Sequence, residues 1–168
     1  MALRGYLREG LNAALIMGAG DAIAQLVIEK KPFQDWDIAR TARFTTLGLV
    51  FVGPALRKWY GTLDTFVSKQ QSATRRGLKK MIIDQSCFAP PFTLVLSYVV
   101  PCINGEQHGR IVDRIKENYL SIMQRNYMLW PMAQTINFSL MPIQYQVIFA
   151  QIVAVFWNCY LSTKLNER

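Results

Sequence analysis

Apolar residues in this chain gather into long runs separated by short charged connectors. Residues 126–163 hold no Asp, Glu, Lys, Arg or His, a stretch of 38 positions bounded by Arg125 and Lys164. As one helix it would be roughly 57 Å long, against roughly 30 Å of bilayer hydrocarbon, so it is too long for one crossing and short for two. Residues 85–105 give 21 uncharged positions, and residues 11–28 give 18 with one charge, Asp21. Residues 44–56 give 13 more, bracketed by Arg43 and Arg57, whose long side chains can snorkel to the interface. The pattern predicts an all-α polytopic membrane helix bundle of about four transmembrane helices, one integral membrane domain over residues 1–168.

Within the first run, Gly10, Ala14, Gly18 and Ala22 recur every four residues, a small-residue stripe against which another helix backbone can approach. Asp21 and Gln25 lie one turn apart beside it. A carboxylate there costs about 2.5–3.5 kcal/mol if it faces lipid, so Asp21 faces protein or water, either tied to an Arg or lining a polar path. Pro32 ends this helix, Asp35 or Asp37 can cap the next, and Trp36 suits an interfacial anchor. Arg40 and Arg43 share a face, where they can pair with Asp21 or Asp84 or bind phosphate. Gly53-Pro54 predicts a kink, and Trp59-Tyr60 fits an aromatic belt.

Residues 65–80, with Lys69, Arg75, Arg76, Lys79 and Lys80 and no acid, read as a basic loop at the membrane surface. A third helix is expected from Asp84-Gln85, bent by Pro91 just after Pro90. Over residues 109–125, Ile111, Ile115, Tyr119 and Ile122 share one helical face, which predicts an amphipathic helix lying in the interface. His108, the one histidine, then sits in an exposed loop. Pro131 and Pro142 punctuate the last run, which splits near Pro142. Residues 142–163 are long enough to cross, and the 16 residues 126–141, with Gln134, Asn137 and Ser139, make a tilted span or a half-helix. Gln144, Gln146, Gln151 and Asn158 serve as neutral glue between helices or line a path for solutes.

Composition adds a net charge of +8 and a mean hydropathy of +0.12. The basic residues lie between the apolar runs and face anionic headgroups. With no nucleic-acid module around them, direct nucleic-acid binding is not expected. Counted by alternate loops they divide eleven to eight, too slight a bias to fix orientation. Cys87, Cys102 and Cys159 fall in apolar runs and read as small buried hydrophobes. No Ser/His/Asp set, metal spacing or phosphate loop is present, so neither an enzyme nor a cofactor is expected. Arg4 and Arg8 precede apolar residues that read as a retained first helix rather than a cleaved signal.

The ordered set of Gly20-Asp21 with Gln25, then Asp37, Arg40, Arg43, Gly53-Pro54, Trp59-Tyr60, Leu63-Asp64, Lys80, Asp84-Gln85 and Ala89-Pro90, runs nearly the whole chain. It ends in Trp130-Pro131, Gln134, Asn137-Phe138, Pro142 and the closing Trp157-Asn158-Cys159-Tyr160-Leu161-Ser162. In this set, with Trp130, Asn137, Trp157, Asn158 and Tyr160 as its signature, the chain resembles the Mpv-seventeen and peroxisomal membrane protein family. The chain departs from it at Arg57, where members often have His, at Tyr127, where they have Trp, and at Gln146, where many have Arg. The resemblance implies a four-span protein of the mitochondrial inner membrane, with the peroxisomal membrane as second choice. It implies a channel-like role that moderates membrane potential and reactive oxygen species and supports mitochondrial DNA and nucleotide homeostasis. Two functions are expected in competition: a small channel with Asp21, Gln25, Arg40, Arg43, Asp84 and Gln85 as its polar path, or a membrane scaffold without transport. Expected partners are the lipid bilayer, a second copy of the chain and small anionic or neutral solutes.

Overall fold

The computed structural model describes residues 2–67 and 70–166, and the side chains of 4–67 and 70–156. The signature side chains Trp157, Asn158 and Tyr160, with Cys159 and Lys69, lie outside that set. The described chain is helical, with no strand. It forms two compact units: Met1–Thr62 with Pro142–Arg168, and Leu63–Met141.

The first unit begins with α1, Ala2–Ile23, continued by a π turn over Ala24–Ile28. α1 therefore starts well before the apolar run does. Its burial pattern suits a lipid solvent. Ala13 and Ala14 are buried while Leu7, Leu11 and Leu15 point outward, so small residues face protein and large apolar ones are left for acyl chains. After a 3₁₀ turn, Phe33–Asp35, the chain enters α2, Ile38–Leu47, whose N-terminus is capped by Asp37 Oδ1 accepting from Arg40 N at 2.8 Å. This places a side-chain oxygen where the first turn has free N–H groups.

α2 runs through a π turn, Gly48–Val52, into α3, Gly53–Phe66. The expected kink at Gly53-Pro54 is met by that π turn. Pro54 has no N–H and its ring crowds the carbonyl one turn back, and a locally wider turn accommodates both. Tyr60, expected in an aromatic belt, is instead 2% exposed, because it falls on the same face as the buried Val52 and Leu56. α7, Gln146–Asn166, closes the unit against α1, with Val147 and Ala150 buried. The split near Pro142 is present: α6 stops at Leu140, and Tyr145 N bonds Pro142 O at 2.8 Å before α7 begins.

In the second unit, α4, Ala73–Ile83, passes through a π turn, Asp84–Phe88, into α5, Ala89–Ile103. Two expectations are corrected here. The basic loop of residues 65–80 is helical from Ala73, with Lys80 2% exposed. The third helix begins eleven residues before Asp84 rather than at it. The signal was misread because Gly77, Lys80 and Asp84, all buried, share one helical face whatever their charge. α5 ends in a Schellman motif: Gly105 adopts φ +84, Gly105 N bonds Cys102 O, and Glu106 N bonds Pro101 O.

α6, His108–Leu140, is one helix of 33 residues, roughly 50 Å long. The expected interfacial helix over 109–125 and separate segment over 126–141 are thus a single rod. Its apolar stripe meets α4 and α5 rather than headgroups: Tyr119 Oη donates to Pro90 O at 2.8 Å and Asn126 Nδ2 to Thr93 Oγ1 at 3.1 Å. Pro131 sits inside the helix, and Thr135 Oγ1 donates to its carbonyl at 2.7 Å. His108 opens the helix rather than sitting in a loop, with Nδ1 2.9 Å from Tyr98 Oη. Cys87 and Cys102, expected to be buried, are exposed, on outward faces of the α4–α5 helix.

The prolines at 90 and 91 leave carbonyls of the preceding turn without their usual N–H partners. Tyr127 Oη donates to Gln85 O at 2.9 Å, supplying from α6 what the proline-interrupted helix lacks. Tyr127→Phe keeps the ring and removes this donor. It is expected to cost about 1–3 kcal/mol, read as a lowered unfolding midpoint of purified protein in detergent. An unchanged midpoint would show that the Gln85 carbonyl has another partner.

Candidate functional site

The expected site residues assemble into two buried polar clusters, one in each unit. In the first unit, Asp21 and Gln25 project from α1 and its π turn toward the start of α2. Thr41 Oγ1 donates to Asp21 Oδ2 at 2.7 Å, and Gln25 Nε2 donates to the same oxygen at 2.7 Å. Asp37 N donates to Gln25 Oε1 at 2.9 Å, which fixes the orientation of that amide. Trp36, expected at the interface, donates its Nε1–H to Thr41 Oγ1 at 2.9 Å. Arg40 Nε lies 2.8 Å from Asp21 Oδ1, an ion pair whose N–H is not aimed at that oxygen.

Arg40 also reaches Glu29, Nη1 to Oε1 at 2.9 Å, and Lys31 pairs with Glu29 at 3.1 Å. Burial raises the Glu29 pKa, but hydrogen bonds and charge from Lys31 and Arg40 outweigh it and hold the carboxyl below its usual 4.5. These pairs therefore contribute fully above the ordinary carboxylate pKa and weaken as pH falls through the lowered one. Arg43 pairs with Asp37 Oδ2 at 3.5 Å, and its side chain is 38% exposed.

In the second unit, Asp84 accepts from Gln85 Nε2 at 2.8 Å and from Gln134 Nε2 at 3.1 Å, both on Oδ2. Asn137 Nδ2 donates to Gln134 Oε1 at 2.9 Å. Asp84, Gln85, Gln134 and Asn137 are all buried, so a carboxylate and three amides sit together where α6 crosses the π turn. Amide chains of this kind hold helices together. Among the described residues, no group of three or more His, Cys, Asp or Glu is placed to hold a metal ion.

The helix-packing stripe lies in the first unit. A methyl on Gly10 would meet Leu49 O at 2.7 Å and one on Gly18 would meet Thr45 Oγ1 at 2.4 Å. Ala14 is buried and Ala22 half-buried. Sequence reasoning missed Thr41 and Glu9. Thr41 carries no signal, because only the chain reversal at Pro32 brings it to Asp21. Glu9 is fully buried with Oε1 2.8 Å from Arg8 Nη2. Its place one residue before Gly10 on the small-residue face was a usable sign.

Two helices, Arg4–Ile28 and Ala73–Ile103, are long and apolar enough to cross a bilayer, and each carries a buried carboxylate with its own polar shell. A chain whose described residues are built this way, helical with large apolar side chains outward and acidic ones inward, is an integral membrane protein. The Mpv17 / PMP22 family model matches residues 102–162. The chain is 53% identical to the mitochondrial inner membrane protein Mpv17 of Drosophila melanogaster over 98% of both proteins. It is 38% identical to the Homo sapiens protein of that name and 36% to that of Danio rerio, each over 94% of this chain and 88% of the relative. No solved structure matches. The chain belongs to the Mpv17 / PMP22 family, and it is a protein of the mitochondrial inner membrane.

Proposed function

We propose that the protein crosses the inner membrane about four times and acts as a small channel-like path for solutes or ions. In this role it modulates membrane potential, reactive oxygen species and the nucleotide balance on which mitochondrial DNA depends. The observation that carries this reading is the placement of Asp21 and Asp84, both buried, inside the two membrane-length helices. Packing alone does not favour carboxylates there, since apolar residues of similar volume hold helices at least as well. Each lies at or beside a π turn, Ala24–Ile28 or Asp84–Phe88, the kind of helix irregularity that recurs at functional sites. On this reading the hydrogen-bonded clusters form a closed state, and conduction requires their bonds to open.

The test is reconstitution of purified protein into planar bilayers and liposomes, with protons, phosphate and nucleotides as candidate solutes. Flux above protein-free controls is expected, and Asp84→Asn is expected to reduce the preference for cations by removing a fixed negative charge. Absence of flux for every solute would sink the reading.

A second reading is a membrane scaffold without transport. It expects purified protein to assemble while proteoliposomes pass nothing.

A further inference from the structure

Outside both clusters, three charged side chains of the second unit meet where the end of α3 approaches α4. Lys80 is 2% exposed, and its Nζ is 2.7 Å from Asp64 Oδ1. Arg76, one turn earlier on α4, bonds the same oxygen through Nη2. Lys80 Nζ also stands 5.9 Å from the centre of the Phe138 ring, within cation–π range. Neither cation has another acidic partner among the described residues. Two positive charges thus converge on one carboxylate oxygen.

Two polar atoms beside them are buried and unused. Arg76 Nε has no acceptor, and neither has the hydroxyl of Ser139, the residue after Phe138, which lies against Gly77. Arg75 and Lys79 are exposed on the same helix and add to the positive potential. A cation as buried as Lys80 costs several kcal/mol unless an anion accompanies it. The unused Arg76 Nε–H is a donor and the Ser139 hydroxyl can be one, and the Arg76 side chain, 26% exposed, leaves the pair open to solvent.

We propose that Arg76, Lys80 and Ser139 form a binding site for a phosphate group, with Asp64 as the internal stand-in that holds the two cations when the site is empty. A guanidinium fork beside an ammonium and a hydroxyl suits a tetrahedral oxyanion carrying several acceptor oxygens. A halide could supply the charge but not use the fork. The phosphate can be that of a free anion or of a phospholipid headgroup, and both present the same oxygens. The site is independent of the permeation reading, because binding is measured on protein that need not conduct.

The full-length protein is purified in detergent and its thermal unfolding followed while phosphate replaces chloride at constant ionic strength. In a second arm, delipidated protein is given phosphatidylglycerol and the retained lipid is counted by native mass spectrometry. A midpoint rising with phosphate in the parent and not in Lys80→Met identifies a free anion, because exclusion of phosphate from the surface would raise both alike; lipid retained by the parent without a phosphate response identifies a headgroup, and either supports the site. In the responding arm, Lys80→Met and Arg76→Gln are each expected to weaken binding about tenfold or more, from the loss of a charged hydrogen bond. Lys80→Arg should retain it, and Asp64→Asn should strengthen binding by freeing both cations. A purely structural ion pair predicts the opposite for Asp64→Asn, namely no gain. No response in either arm, unchanged binding in Lys80→Met, or weaker binding in Asp64→Asn overturns the proposal.

Discussion

Gly48→Ala is expected to destabilise the protein by about 3 kcal/mol or more, the upper end for overpacking a tight interface. The added methyl would sit 2.7 Å from Ala13 O, 2.8 Å from Ala13 C and 2.9 Å from Ala14 N. All three are backbone atoms of α1, so no rotamer change relieves the clash and the helices must separate. Gly53→Ala should behave alike, since its methyl would meet Glu9 O at 2.6 Å and Gly10 Cα at 2.7 Å. Gly18→Ala should cost less although its closest contact is shorter. The atom met at 2.4 Å is the Thr45 hydroxyl, which can rotate away from its bond to Thr41 O. Gly61→Ala has nothing within 4 Å and lies inside α3, so it should stabilise by about 0.5–1 kcal/mol through helix propensity. Unfolding of the four variants in one detergent gives the order: Gly48 and Gly53 lowest, Gly18 between, Gly61 above the parent. If Gly48→Ala unfolds with the parent, α1 and the Gly48–Val52 turn are not packed backbone to backbone.

The seam tested by that series was half legible in the sequence. The four-residue spacing of Gly10, Ala14, Gly18 and Ala22 marks one side of it, because small residues on one helical face have a use only where another backbone approaches. The other side, Gly48 and Gly53, is five residues apart, a spacing that matches no regular helical face. Only the intervening π turn brings the two glycines onto α1, and π turns have no simple sequence rule. Charge misled in a similar way. Lys80 lies among basic residues and reads as solvated, yet Asp64 in the last turn of α3 and the Phe138 ring provide it with a buried place. Where a partner comes from a distant part of the chain, as Tyr127 does for the Gln85 carbonyl, periodicity contains no information about it. The division at Pro142 was readable because proline acts locally: it limits the backbone of its own neighbours and needs no partner to do so.

Arg40→Gln is expected to be more damaging than Asp21→Asn, although each removes one side of the same ion pair. The Asp21 side chain is 1% exposed while that of Arg40 is 25% exposed. Without Arg40, the Asp21 carboxylate is left with neutral donors alone, Gln25 and Thr41, deep beside α1. An uncompensated buried charge of this kind costs about 3–5 kcal/mol. Without the Asp21 charge, Arg40 keeps Glu29 at 2.9 Å and retains access to water, so Asp21→Asn should cost only about 1–2 kcal/mol, within the range for losing a charged hydrogen bond. The double variant removes the stranded charge as well as the pair, and should be more stable than Arg40→Gln alone. The measured coupling energy is then large and favourable, which independent sites cannot give. The cycle is read by unfolding of the four proteins under identical conditions. Additive single effects would mean that Asp21 is held by its hydrogen bonds and that Arg40 serves Glu29 alone.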